Sequence, residues 1–487
     1  MSRTIKNSDV IVVGGGILGL ASSYELACQG LTVTSVYPQA GDRESASLAA
    51  GAMLGALGEI TGDDGDSDRD ELEFRIASQR RYPEWLGALC ERSKTKVHQG
   101  QGSFIIANNE GVADRNGIRR MKLEADRYNL SAEWVEPEEV PGLNPGHHYA
   151  PGLCLALPEE HSVDSGQLLA AIAAAAASYP GWTRVDDSVA AARQDSGGWV
   201  VTTSQGATYA AAHLVLAGGS RVFNCLAPDV RDAAKLPAMF FGKGVSCLVR
   251  GAPAIPQTIR TPNRAFACGI HVVPRSDGLL YLGATNCLGV DHDAERGMQV
   301  GEIHNLFDEI VHQINTDIRL SRIVDIRYGY RPIPATRSPV IGRTDLPGLS
   351  VATGTYRNGI LMAPLVAGII ADGIADKPVE NPFAVGAKPA GTPIERLSEI
   401  GVRDILGFLH EPRGSLPYNR ADELRKYTQT LFEMAVFDDE RHSELRQEIQ
   451  QRLKDAPFNE TMHKLFYEIV ERASQRGIPE TKTARAH

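Results

Sequence analysis

Residues 9–19 read DVIVVGGGILG, and this stretch decides the fold. Val10–Val13 is an unbroken β-branched run, the kind a parallel strand buried on both faces requires. Gly14, Gly16 and Gly19 follow in G-x-G-x-x-G spacing. Leu20–Gln29 then reads as a helix and Leu31–Tyr37 as a second strand. Strand, glycine turn, helix and strand within about 30 residues form the βαβ unit that binds dinucleotides. In such a unit Gly14 permits the tight turn, Gly16 lets backbone approach a pyrophosphate, and Gly19 lets helix pack on sheet. The helix N-terminus, at Ile17 and Leu18, supplies N–H groups and partial positive charge for phosphates.

One position departs from the pattern. The end of the second strand normally carries an acidic residue that holds a ribose hydroxyl, and here that place holds Tyr37. Tyr37 itself, Asp42 or Glu44 is left to take that part, or backbone and packing alone hold the adenosine end. The departure weighs against a nicotinamide cofactor. Three downstream segments favour a flavin. Ser45–Ala56 (SASLAAGAMLGA) is rich in small residues, which suits close backbone approach to a bulky flat ligand. His213–Ser220 (HLVLAGGS) is a third strand ending in a glycine pair. Leu349–Leu361 (LSVATGTYRNGIL) is a strand, a glycine-containing turn and a helix start, with the helix running to about Gly373. Its N-terminus would stabilise the negative charge that reduced flavin carries near N1.

Length and composition bound the rest. At roughly 100–200 residues per domain, a chain of this length holds about two to four. Hydrophobic residues at 43% and charged residues at 23% fit a globular protein, not a disordered one. The net charge of −10 provides no basic stripe for nucleic acid. Seven scattered cysteines form no CxxC pair, which argues against a zinc site or disulfide framework and for a cytoplasmic location. No apolar run is long enough to span a membrane, and Met1–Ser8 lacks a signal-peptide core. The acidic run Asp63–Glu71 lacks the glycine and glutamate of a calcium loop, so it reads as a solvated loop and no metal is expected.

Several motifs, in this order, resemble the flavin-dependent D-amino-acid oxidase family, and within it the glycine oxidases. They are VVGGGILGLASSYELA at 12–27, AAGAMLGA at 49–56, YGYRPIPATRSPVIGR at 328–343 and TGTYRNGILMAP at 353–364. The resemblance covers residues 9–385. It implies an α/β (α+β) architecture: a Rossmann-like FAD-binding domain interleaved with an antiparallel-sheet substrate domain. Residues 1–60, 151–224 and 321–385 would form the first, and 61–150 with 225–320 the second. Strands of the second are expected in Phe266–Pro274 and Leu279–Ala284.

The same resemblance assigns roles. Ala46, Ser47, Gly51, Ala52 and Met53 would lie against the flavin, and Val189 would meet its adenosine end through backbone. Thr355, Tyr356, Arg357, Asn358, Gly359, Ile360 and Leu361 would lie beside the flavin ring. Arg331 would grip a substrate carboxylate, for which a planar guanidinium is suited; its other reading is a buried partner of Asp325. Arg357 would neighbour flavin and substrate, or else simply cap its helix. His271 stands where glycine oxidases carry a tyrosine, and would bring a group titrating near neutral pH, unless it only packs. The implied reaction is oxidation of a small amino acid or N-substituted amino acid. Hydride passes from Cα to N5 of non-covalently bound FAD, the imine hydrolyses, and O2 becomes H2O2. The alternatives are a dehydrogenase that passes electrons to a carrier, an oxidase of N-carboxymethyl amino acids, and a non-catalytic flavin scaffold.

The resemblance stops before the end. Val385–Pro393 (VGAKPAGTP) reads as a linker, and residues 390–487 carry 15 Lys/Arg and 17 Asp/Glu, denser than the part before. Residues 394–480 are expected to form an all-α extension with helices at Leu397–Leu409, Ala421–Ala435, Glu440–Leu453 and Glu460–Ala473. Leu424, Tyr427, Leu431 and Met434 share one face of the second. That face would cap the body or contact another copy or a partner.

Overall fold

The computed structural model describes residues 6–387, apart from 39–43, 61–68, 109–111, 252, 264–267, 290–291 and 294–295. The C-terminal helices, Asp42 and most of the acidic run therefore lie outside the described residues. Among the described residues, no helix is long and apolar enough to cross a membrane.

The first strand, Lys6–Val13, lies between two parallel neighbours, Val33–Val36 and Thr208–Leu216. Val10 and Val12 point into one core and Ile11 into the other, all fully buried. Side chains alternate across a strand, so an unbroken apolar run fits only where both faces are covered. The covering differs by face. Helices Ile17–Cys28, Ser165–Ala177 and Gly359–Ile374 supply the core that holds Val10 and Val12. Trp199, Phe223 and Leu226 close over Ile11. Trp182–Val185 extends the parallel sheet beyond Val33–Val36, and Leu349–Thr353 pairs parallel to the last part of Thr208–Leu216.

Two glycines make the turn possible. Gly14 has φ +119°, and a Cβ there would stand 2.4 Å from the Ala217 carbonyl oxygen on the neighbouring strand. A Cβ on Gly19 would stand 2.1 Å from the carbonyl oxygen of Gly14. The turn, the helix behind it and the third strand are thus in backbone contact.

The second sheet is built around one long pairing. Met239–Arg250 runs antiparallel to Arg322–Pro334 along nearly its whole length, with Gly242 opposite Arg331. From Met239–Arg250 the sheet continues through Leu279–Gly283, His271–Pro274, Thr258–Arg260, Ser103–Asn108 and Pro151–Leu157. Its pairs are antiparallel except that between Thr258–Arg260 and Ser103–Asn108. Helix Val300–Gln313 packs beneath through Leu306 and Ile310. A buried pair, Lys243 and Glu302 at 3.0 Å, ties it to the central strand.

Two strands lie in a different sheet from the one expected. Pro151–Leu157 and Arg322–Pro334 belong to the second sheet, although 151–224 and 321–385 were expected to lie wholly in the nucleotide domain. Helix Arg69–Ser93, expected in the substrate domain, bridges the two: Phe74, Tyr82, Trp85, Leu86 and Leu89 enter the core of the first, and Leu72 and Ile76 pack with Ile105 and Leu155 of the second sheet. The cause is common: a strand's partner and a helix's apolar face are chosen across the chain, not by neighbours in sequence. The small-residue segment Ser45–Ala56 lies between the two sheets' elements without a helix of its own. It is mostly turns, with a short strand at Met53–Leu54.

Candidate active site

A cavity of about 770 Å³ runs from the glycine turn, between the two sheets, to the head group of Arg331. At one end its walls are Gly14, Gly16, Ile17, Leu18, Tyr37 and Val189. Along the middle lie Ala46, Ser47, Gly51, Ala52 and Met53. Thr355, Tyr356, Arg357, Asn358, Gly359 and Ile360 line it with His271 and Arg331, and a Cβ on Gly359 would stand 3.6 Å from Ile17. Two expected members are not on the wall. Gly19 is turned to the Gly14 carbonyl, and Leu361 is buried in the core behind the helix.

The cavity fits FAD on structural grounds. A Cβ on Gly16 would meet only the Ser47 hydroxyl, at 3.3 Å, so the turn is open on its cavity side. In helix Ile17–Cys28 the Ile17 N–H donates to Ser47 Oγ at 3.0 Å, and the first turn carries no acidic residue, which suits phosphate. Helix Gly359–Ile374 begins without a side-chain cap, and the Asn358 side-chain amide donates to Glu71 at 2.8 Å. That leaves first-turn amides and the positive end of the helix dipole at the cavity wall.

Arg331 is held but not neutralised. Its Nη1 donates to the Thr285 carbonyl and to Asn286 Oδ1, both at 3.0 Å. Asn286 in turn donates to the Tyr356 hydroxyl at 2.6 Å. Among the described residues no carboxylate pairs with Arg331, and Asp325, the expected alternative, bonds Arg327 at 2.6 Å. Room for this head group comes from the partner strand. A Cβ on Gly244 would lie 2.2 Å from Arg331 Nη2, and one on Gly242 would lie 2.4 Å from Asn286 Oδ1. Glycines two apart share one face of a strand.

Arg357 neither faces solvent nor caps its helix. Its Nε lies 3.1 Å from Glu59 Oε2, and its guanidinium sits over the Tyr356 ring, 4.7 Å from the centroid. Arg260 Nη1 approaches the other oxygen of Glu59 at 3.0 Å, and Asn263 donates to Oε2 at 3.0 Å. Burial alone would raise the Glu59 carboxyl, but Arg260, Arg357 and Arg75 together pull it down to about 2. Glu59, Arg260 and Asn263 had no motif to announce them. Only a carboxylate closing the small-residue segment and an arginine inside a strand hinted at them.

His271 corrects an expectation. It is 5% exposed and stacked on Tyr281, with centroids 5.6 Å apart. Nδ1 donates to the Gly269 carbonyl at 2.9 Å, so the neutral ring has a bare Nε2. Burial, then the charges of Arg260 and Arg331, push its pKa down to about 3. A ring enclosed this way does not titrate near neutral pH. Glu44 is also settled: Arg221 at 2.8 Å, Arg296 at 3.0 Å and the Tyr328 hydroxyl at 3.2 Å take its oxygens.

Fold and cavity define a two-domain flavoprotein oxidoreductase. Residues 9–373 match the profile of the family described as FAD dependent oxidoreductase (DAO), and the chain belongs to that family. It is 29% identical over 375 residues to glycine oxidase of Geobacillus kaustophilus (strain HTA426), covering 75% of this chain and 92% of that one. The crystal structure of glycine oxidase from Geobacillus kaustophilus superposes with a TM-score of 0.68 at 28% identity, covering 79% of this chain and 100% of that one. The bifunctional protein ThiO/ThiG of Trichormus variabilis (strain ATCC 29413 / PCC 7937) is 27% identical over 380 residues and 76% of this chain. The match spans about half of that relative's length, 53%.

The His271 environment sets a pH signature. Unfolded histidine titrates near 6.5. Between about pH 6.5 and about 3 the unfolded chain binds a proton that the folded chain excludes, so stability falls as pH falls through that window. His271→Gln is expected to flatten the drop in melting temperature between about pH 7 and pH 4. An unchanged pH slope in the variant would contradict a buried neutral ring.

Proposed function

We propose that this chain oxidises a small amino acid or N-substituted amino acid at its Cα–N bond, using non-covalent FAD and O2. The observation that carries the proposal is Arg331, on the cavity wall with neutral acceptors and, among the described residues, no carboxylate partner. When bound, FAD supplies the two-electron oxidation and passes the electrons to O2. Arg331 would grip the substrate carboxylate through two parallel N–H donors, fixing the position of Cα. Arg260 and Arg357 share one carboxylate, Glu59, so the chamber keeps a positive surplus. That surplus favours an amine in its neutral form, the form that gives up a hydride without a protein base. The neutral His271 ring fills the place beside Tyr281 without adding a charge. Water would then hydrolyse the product imine, breaking the C–N bond to give a keto acid or aldehyde acid and releasing ammonia or an amine. No cysteine stands on Arg322–Pro334, which supports a non-covalent flavin, and acid precipitation is expected to leave the colour in solution. The seven free cysteines suit a reducing cytoplasm.

The positive surplus also favours a second reading within the same chemistry, an N-carboxymethyl amino acid whose second carboxylate meets the Arg357 side of the chamber. One screen tests both. Holoprotein is mixed anaerobically with glycine, sarcosine, D-amino acids and N-carboxymethyl amino acids, flavin bleaching is followed, and air is then admitted with peroxide assayed. At least one amine is expected to bleach the flavin, with peroxide formed on aeration. No bleaching with any amine would remove the proposal, and bleaching without peroxide would point to a dehydrogenase. Gly244→Ala crowds the Arg331 head group, so KM for the reactive amine is expected to rise about tenfold with kcat changing less. An unchanged KM would contradict the role given to that gap.

A further inference from the structure

Tyr37 stands where the strand pattern calls for an acidic residue at the adenosine end of the cavity, and the described residues give a different answer there. Tyr37 follows strand Val33–Val36, and its N–H bonds the Val185 carbonyl at 3.1 Å on the adjacent strand, Trp182–Val185. The Tyr37 ring lies over the glycine turn: a Cβ on Gly15 would sit 2.3 Å from it. Gly15, which the G-x-G-x-x-G pattern leaves free, is therefore required by this tyrosine. Arg184, on that adjacent strand, stacks its guanidinium over the same ring, 4.7 Å from the centroid. Both side chains line the cavity beside Val189 and Cys225.

Arg184 has donors to spare. Its Nε and Nη2 are shielded from solvent and make no hydrogen bond among the described residues, while Nη2 lies 3.5 Å from the exposed carboxylate of Asp186. A shielded guanidinium N–H without an acceptor is costly, and a ligand that brings acceptors recovers that cost. Glu44 is unable to substitute, since two arginines hold its oxygens.

We infer that Tyr37 and Arg184 form the adenosine clamp of this flavoprotein. The tyrosine ring supplies a flat platform, and the arginine donates to ribose or adenine acceptors where a carboxylate would have accepted from ribose hydroxyls. The polarity of recognition is inverted, and the platform and the donor are locked to each other by cation–π stacking. The inference rests on FAD as the cofactor and is independent of which amine is oxidised.

FMN lacks the adenosine and separates this role from a general loss of structure. Apoprotein is titrated with FAD and with FMN, and the quenching of flavin fluorescence gives each Kd. Arg184→Met is expected to weaken FAD by about tenfold or more and to leave FMN within about twofold. Tyr37→Ala should move the two flavins in the same unequal way. Should the methionine variant fail to fold by circular dichroism, Arg184→Lys keeps the charge and stem, loses the planar fork, and is expected to show the same selective loss. FAD affinity unchanged in these variants, or FAD and FMN weakened in parallel, would overturn the clamp.

Discussion

A guanidinium that is half enclosed and, among the described residues, hydrogen-bonded to neutral oxygens is the constraint around which this molecule is arranged. Arg331 is carried on a thirteen-residue strand whose partner opposes it with glycine, and that gap is what lets the head group lie flat against the sheet. Two other arginines stand close by, but both are tied to Glu59. Arg331 lies on the wall of a cavity that also takes in the glycine turn. Removing one partner from a buried ion pair costs about 3–5 kcal/mol, so the Glu59 network is a rigid frame, and Arg331, the proposed carboxylate anchor, stands outside it.

The two sheets serve this arrangement differently. The parallel sheet places helix starts and a glycine turn along one wall, where fixed dipoles meet phosphate and the ring that changes charge. The second sheet supplies side chains instead: Arg331, Arg260 and His271 come from three of its strands. Tyr356 and Arg357 come from the turn that follows a strand of the first sheet, and they bond Asn286 and Glu59 across the boundary. The chamber is therefore a product of the interface. Neither half builds it alone.

Much of this was legible in the sequence, for a physical reason. The βαβ unit is local: apolar run, glycine spacing and helix lie within some thirty residues, and Gly14 and Gly19 act on backbone a few positions away. Arg331 was legible because an arginine inside an apolar strand demands an anion. The adenosine end was legible only as a gap, since Arg184 reaches Tyr37 through the pairing of Val33–Val36 with the distant strand Trp182–Val185, in which Ser35 lies opposite Arg184. Glu59, Arg260 and Asn263 were invisible for the same reason. The histidine misled because its ordinary pKa says nothing of a site where burial and two arginines act together. Sheet membership of Pro151–Leu157 and Arg322–Pro334 is equally non-local, and no periodicity within a strand reveals its partner.

The most direct test of the central claim uses a carboxylate that cannot be oxidised. Glycolate or acetate bound beside the flavin perturbs its visible absorption, and titration of the holoprotein yields a Kd without any turnover. Arg331→Met is expected to weaken that Kd by about a hundredfold, the loss of a bidentate charged pair, while FAD content stays unchanged. An equal Kd in the two proteins, with flavin retained in both, would contradict the assignment of Arg331 as the carboxylate anchor.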